Sequence, residues 1–138
     1  MSRKQNTEFL EAYVAFEAVC SKKYGTRGGA TEYINCLIRY TGAPKREIIL
    51  PKLVSYRNIR NRIAHEHGAL SKIKDIGASD VRWLKSFTKS VAKGKDPVSV
   101  FESKKGKNAK VRSAINVGIA VIACIAVAVA VFIIASKF

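Results

Sequence analysis

EFLEAYVAFEAVC, residues 8–20, is an amphipathic sequence from which the fold class follows. Its apolar side chains recur every three or four residues, which is the spacing of one face of an α-helix and not the alternation of a β-strand. Thr7 is expected to cap this helix at its start, and the glycine-rich turn at 24–29 is expected to end it. The apolar face comprises Phe9, Leu10, Tyr13, Phe16, Val19 and Cys20.

Two later segments have the same helical spacing. One runs from residue 30 or 31 to Tyr40, and the other begins at a Ser79 or Asp80 cap and ends in the turn 93–97. Their predicted buried faces are Tyr33, Ile34, Leu37 and Ile38 in the first, and Val81, Leu84, Phe87 and Val91 with Trp83 beside them in the second.

The segment between these two helices contains two prolines. Pro44 suits the first turn of a helix, whereas Pro51 is expected to interrupt it, because proline lacks the N–H that a helix interior needs. We therefore predict a short helical turn, followed by a longer helix over residues 52–66 that stops at Gly68. The buried stripe of the longer helix is predicted to include Leu53, Tyr56, Ile59, Ile63 and Ala64.

No segment alternates for long enough to be a convincing strand, and only residues 96–101 are ambiguous. The predicted fold class is therefore all-α, a small bundle of four or five helices that occupies residues 1–101. A flexible basic linker is expected to follow at 102–113.

Residues 114–135 carry no charge and are almost entirely apolar. A helix of this length spans about 33 Å, which is enough to cross a bilayer. Only a short tail, 136–138, follows it, and the preceding linker is basic. By the positive-inside tendency we predict a single-pass, tail-anchored membrane protein with its N-terminal domain in the cytoplasm.

The chain has 25 basic and 10 acidic residues, for a formal net charge of +15, and residues 1–113 retain about +14 of it. This surplus favours a polyanionic partner, either nucleic acid or an anionic lipid surface.

The three cysteines lack metal-ligand spacing, so a disulfide framework, a metal site and a cofactor are not expected. The N-terminus has no apolar signal-peptide core.

YRNIRNRIAHEHG, residues 56–68, concentrates arginine, asparagine and both histidines of the chain. Arg57, Asn61 and His65 are four residues apart, so a helix places them in one polar stripe. Arginine offers a permanent forked charge, asparagine a neutral donor and acceptor, and histidine a group that titrates near neutrality. This combination suits a surface that handles phosphate.

Residues 60–65, RNRIAH, resemble the Arg-polar-x3-His motif of HEPN domains, and the resemblance extends over about residues 7–92. HEPN domains are helical bundles, and many are metal-independent ribonucleases that act as toxins or antiviral defence effectors. The resemblance implies that Arg60 stabilises the phosphate, Asn61 orients the site and His65 is the general acid or base. It also implies a homodimer with a composite site, and a cognate antitoxin or regulator.

Arg62 and His67 repeat the Arg-x4-His spacing, but with Ile63 at the polar position. We therefore predict Arg57, Arg62 and His67 as substrate-binding residues, secondary to Arg60, Asn61 and His65. Residues 60 and 65 are about 140° apart around the helix axis, so they lie on nearly opposite faces of one helix. A two-fold dimer would bring two such helices to one phosphate.

The leading hypothesis is therefore a membrane-anchored endoribonuclease that needs no metal and takes RNA as its substrate. A second hypothesis is a non-catalytic HEPN-like module that binds RNA, a nucleotide or a protein at the membrane. A third is a small membrane-active protein whose C-terminal helices oligomerise. The second predicts salt-sensitive binding without cleavage, and the third predicts that toxicity requires residues 114–138.

Overall fold

The computed structural model describes the backbone of residues 3–65 and 76–135, and the side chains of 4–65, 76–117, 119, 121 and 122. Within these ranges the protein is all-α, as predicted, and residues 96–101 are not a strand. The chain divides into two units, Met1–Phe101 and Glu102–Phe138. Its helices are α1 (Arg3–Tyr24), α2 (Gly29–Arg39), α3 (Arg46–His65), α4 (Ala78–Ala92) and α5 (Pro97–Ala135).

The core of the first unit forms around α1, which contacts α2, α3 and α4. Aromatic rings from all four of these helices meet there, mostly tilted or edge to face. The Phe16 ring lies between Tyr33 of α2 and Phe87 of α4, with centroids 5.8 and 5.9 Å away. Each fully buried aromatic side chain of this kind stabilises the fold by about 1.5–3 kcal/mol.

Glycines end α1 and α4. Gly25 and Gly94 both have φ near +64°, in the left-handed region that glycine adopts without steric cost. The Thr26 N–H then donates to the Ser21 carbonyl at 3.3 Å, and the Lys95 N–H donates to the Ser90 carbonyl at 3.0 Å. These bonds satisfy carbonyls at the ends of both helices and stop them at the predicted turns.

The start of α1 differs from the prediction. The helix begins at Arg3, so Thr7 lies within it and does not cap it. Asn6, in this additional turn, is only 1% exposed. In α2, Ile38 is 52% exposed and Cys36 is buried in its place, so the predicted face is wrong by part of a turn.

Pro51 does not break α3, which continues from Arg46 to His65. Because Pro51 has no N–H, the carbonyl of Glu47 loses its usual helical donor. Both residues are exposed, so water can donate to this carbonyl instead. Leu53, Tyr56 and Ile59 are buried as predicted, and Ile63 is half-buried. The predicted helix end at residue 66 and the stop at 68 lie outside the described residues.

Two further expectations are corrected. Asp80 is not the cap of α4, because the helix begins at Ala78 and the Asp80 carboxylate accepts from the Gly77 N–H at 2.9 Å. Residues 102–113, which were expected to form a flexible linker, are helical within α5. Lysine, arginine and alanine favour helix in this segment and outweigh the single Gly106.

In the part of the chain that the structure describes, no helix combines the length and the apolarity that crossing a bilayer requires. Most side chains of the predicted span 114–135 lie outside the described set. The span therefore stays a prediction.

Candidate functional site

Three of the predicted site residues line one small cleft on the first unit. Arg57, Arg60 and Asn61 share a face of α3 because they are three and four residues apart. The cleft has a volume of about 280 Å³, and we call it the arginine cleft. Its lining is Tyr13 and Glu17 from α1, Gly28 and Thr31 from the start of α2, and Arg57, Arg60 and Asn61 from α3.

The core fixes the arginine side of the cleft. Tyr56 and Ile59 are buried in the core, and this burial orients α3. Arg57 and Arg60, the next residues in sequence, therefore lie half-buried at the margin of the core. Arg60 Nη1 also donates to Asn61 Oδ1 at 3.3 Å. Two permanent charges and an amide are therefore held side by side, which suits a phosphate group.

Tyr13 forms the floor of the arginine cleft and is only 2% exposed. Burial, and next the charge of Glu17, raise the pKa of Tyr13 to about 12, against the opposing charges of Arg60 and Arg57. The hydroxyl is therefore protonated at neutral pH and can donate a hydrogen bond.

Two glycines bring the start of α2 to the cleft. The Gly29 N–H donates to Ser21 Oγ at 3.2 Å, and a Cβ at position 29 would overlap the backbone of Cys20 and Ser21. Gly28 precedes it with φ of 85°. This close approach of α2 to α1 places Gly28 and Thr31 beside the arginines, at the positive end of the helix dipole.

The other predicted residues do not line the arginine cleft. His65 is the last residue of α3 and is exposed. Arg62 is exposed and lines a different pocket on α3, together with Ser55 and Asn58. His67 lies outside the described residues. Within one chain, the cleft thus groups Arg57, Arg60 and Asn61, and its lining does not include Arg62 or His65.

Residues 7–117 match the model of DUF6548, a family of unknown function. The chain belongs to the DUF6548 family. The match includes α1 from residue 7, all of α2 to α4 and the first part of α5, and it contains every residue of the arginine cleft. No curated protein and no solved structure matches this DUF6548 chain.

Sequence reasoning assigned Tyr13 only to the core of this DUF6548 domain, and it missed Glu17, Gly28 and Thr31. One signal was available: Glu17 is four residues after Tyr13 and therefore lies on the same helix face, at the edge of the apolar stripe. The contribution of Gly28 and Thr31 depends on how closely α2 packs on α1, and no local pattern shows that.

A second polar cluster lies at the start of α5. Asp96 is fully buried and accepts hydrogen bonds from the Tyr33 hydroxyl at 2.8 Å and from the Ser99 hydroxyl at 2.5 Å. Its carboxylate is also 3.6 Å from Lys23 Nζ. The Ser99 N–H donates to it at 3.2 Å, as expected of a helix cap. Since its partners come from the chain itself, this cluster stabilises the bundle.

Among the residues in 3–65 and 76–135, no group of three or more His, Cys, Asp and Glu side chains could hold a metal ion. The arginine cleft offers guanidinium, amide, hydroxyl and carboxylate groups.

Proposed function

We propose that this DUF6548 protein is a metal-independent endoribonuclease that works as a homodimer, with the arginine cleft holding a phosphate of the RNA. The observation that carries the proposal is the convergence of Arg57, Arg60 and Asn61 in one cleft. The formal charge of +15 supports a polyanionic substrate. The resemblance of residues 60–65 to the HEPN motif supplies the reaction type.

In the proposed reaction, the 2′-hydroxyl of a ribose attacks the adjacent phosphorus. A bond forms between O2′ and phosphorus, and the bond from phosphorus to O5′ breaks. A general base removes the 2′ proton, and a general acid protonates the leaving 5′ oxygen. Arg57 and Arg60 would stabilise the negative charge that develops on the phosphoryl oxygens.

His65 is the proposed general acid or base. It is exposed at the end of α3 and is not among the residues that line the cleft of its own chain, so the proposal assigns the histidine of the site to a second copy. A two-fold arrangement of α3 helices would supply two histidines, one for each proton transfer.

The test is cleavage of single-stranded RNA by the purified full chain in detergent and EDTA. We expect wild-type protein to cleave, and we expect Arg60→Ala and His65→Ala each to lower the rate at least about a hundredfold. Arg82→Ala, which changes an exposed arginine on α4, is the matched control and should cleave normally. Intact RNA with wild-type protein, or unimpaired cleavage by both site variants, would refute the nuclease proposal.

A second candidate is a non-catalytic module that binds phosphate-bearing ligands. The cleft lining contains two arginines and no histidine, and this favours it, because phosphate binding by arginine needs no histidine. This candidate predicts RNA binding that weakens with salt, with no cleavage product, and with no effect of His65→Ala.

We further propose that residues 114–135 anchor the chain in a membrane and leave the N-terminal domain in the cytoplasm. Their uncharged sequence and the basic residues before them support this. Membrane fractionation of the full chain and of a deletion lacking 114–138 tests it, and equal distribution of the two would contradict it.

If expression is toxic, survival of the toxicity after this deletion favours the nuclease over a membrane-active oligomer.

A further inference from the structure

The arginine cleft contains two groups that a simple clamp for an RNA backbone does not need. The Tyr13 side chain is only 2% exposed and lines the cleft, and its hydroxyl is protonated at neutral pH. Glu17 places a half-buried carboxylate in the same cleft as the two arginines. A buried donor and a carboxylate beside an anion site indicate a ligand with more than one kind of polar group.

We propose that the arginine cleft recognises one ribose phosphate unit, with its phosphate on Arg57, Arg60 and the Tyr13 hydroxyl and a ribose hydroxyl donating to Glu17. This inference deepens the proposed function, on which it rests, because it names the unit of the substrate that the site distinguishes.

Charge argues for this division of the cleft. A carboxylate repels a phosphate, so Glu17 has to face a part of the ligand that donates hydrogen bonds, and the 2′- and 3′-hydroxyls of ribose are such donors. The two guanidinium groups and the neutral Tyr13 hydroxyl are donors and suit the phosphate oxygens. The ligand therefore spans the cleft from α3 to α1.

Size argues for a single unit. At about 280 Å³, the cleft is close to the lower limit for small-molecule sites, which extend from about 300 to 1,000 Å³. A sugar and one phosphate fit within such a volume, and a duplex does not. The Thr31 hydroxyl, at the start of α2, lines the cleft and offers one further donor to the phosphate.

The test is calorimetric titration of the full chain in detergent with three probes: adenosine 5′-monophosphate, its 2′-deoxy analogue and inorganic phosphate. We expect wild-type protein to bind the ribonucleotide about tenfold more tightly than the deoxynucleotide, because the latter lacks one donor to Glu17. Glu17→Gln should reduce this preference, because an amide oxygen is a weaker acceptor than a carboxylate, and it should leave phosphate binding in place.

Tyr13→Phe removes only the hydroxyl and retains the ring contacts with Phe9 and Phe16. We expect it to weaken binding of all three probes about tenfold. The matched controls are Glu11→Gln, an exposed carboxylate on α1, and Arg82→Ala on α4, and both should bind as wild type does. Circular dichroism checks that each variant is folded.

Equal affinity of wild-type protein for the two nucleotides, no binding of either, or unchanged phosphate binding by Tyr13→Phe would each overturn this inference. RNA cleavage is measured separately. Ribose preference without cleavage would keep this inference and refute the nuclease, whereas cleavage without ribose preference would do the reverse.

Discussion

Among single residues, Asp96 combines full burial with three polar partners, Tyr33, Ser99 and Lys23. Replacing it with alanine removes the bond from Tyr33, the bonds from Ser99 and the charge that faces Lys23, whose side chain is only 21% exposed. We expect Asp96→Ala to lower the free energy of unfolding by about 3 kcal/mol, because a partly buried ammonium loses its carboxylate and α5 loses its cap.

Urea unfolding of the full chain, followed by far-ultraviolet circular dichroism, measures this change. Tyr33→Phe removes a single bond to Asp96 and should cost about 1 kcal/mol. Glu11→Gln on the exposed face of α1 should cost almost nothing. An Asp96→Ala protein as stable as Glu11→Gln would show that the cluster does not hold the start of α5 to the bundle.

Asp80 makes stability depend on acidity. Burial favours its neutral form, but the Tyr56 hydroxyl at 2.7 Å, the Gly77 N–H and Lys52 outweigh burial and lower the pKa of Asp80. A lowered folded-state pKa gives stability that is present above the unfolded value of about 3.9 and is lost as pH falls through the folded-state pKa.

We therefore expect Asp80→Asn to destabilise the protein by about 1–2 kcal/mol at neutral pH and by much less near pH 2. Urea midpoints of both proteins across this range provide the measurement. A difference that stays constant with pH would mean that the ionised carboxylate is not what stabilises the start of α4.

At the level of elements, the packing of α2 on α1 depends on Gly29. A Cβ at position 29 would overlap the backbone of Ser21 and Cys20. We therefore expect Gly29→Ala to lower the free energy of unfolding by about 2–3 kcal/mol, which thermal unfolding measures as a lower melting temperature. Gly106→Ala is the matched control, since a Cβ at that position of α5 meets nothing within 4 Å. It should stabilise the helix by up to about 1 kcal/mol. Equal effects of the two variants would refute the close approach.

The buried faces of helices with a regular apolar spacing could be predicted from sequence. The start of α1 and the continuity of α3 could not, because they depend on tertiary contacts. The spacing of Val81, Leu84, Phe87 and Val91 predicted the buried face of α4, because side-chain direction follows helical geometry. The burial of Asn6 and the continuation of α3 through Pro51 depend on packing and solvent access, which override local preference.

The candidate site divides in the same way. Arg57, Arg60 and Asn61 are close in sequence on one helix, so their grouping could be read from their spacing. Tyr13, Glu17 and Thr31 are more than twenty residues away from them, and they join the cleft only through the crossing of α1, α2 and α3. A pattern along one helix carries no information on that crossing.

For the whole molecule, the charge of +15 predicts strongly salt-dependent binding of RNA. For single strands, the logarithm of the binding constant falls with that of salt concentration by about 0.7 per neutralised phosphate. We expect Arg57→Ala and Arg60→Ala each to lower this slope by about 0.7. Filter retention of labelled RNA between about 50 and 200 mM salt measures it. Slopes unchanged from those of wild type and Arg82→Ala would place RNA elsewhere on the surface.

Trp83 is the sole tryptophan of the chain. Its indole stacks on Phe87 at 4.8 Å between ring centroids, and Lys52 Nζ lies 4.7 Å from its centre. The protein thus carries one intrinsic fluorophore, seated where α4 meets α3. Its emission should shift to longer wavelength when these helices separate and water reaches the indole. Intrinsic fluorescence can therefore measure the rate at which α3 and α4 separate, without an attached dye.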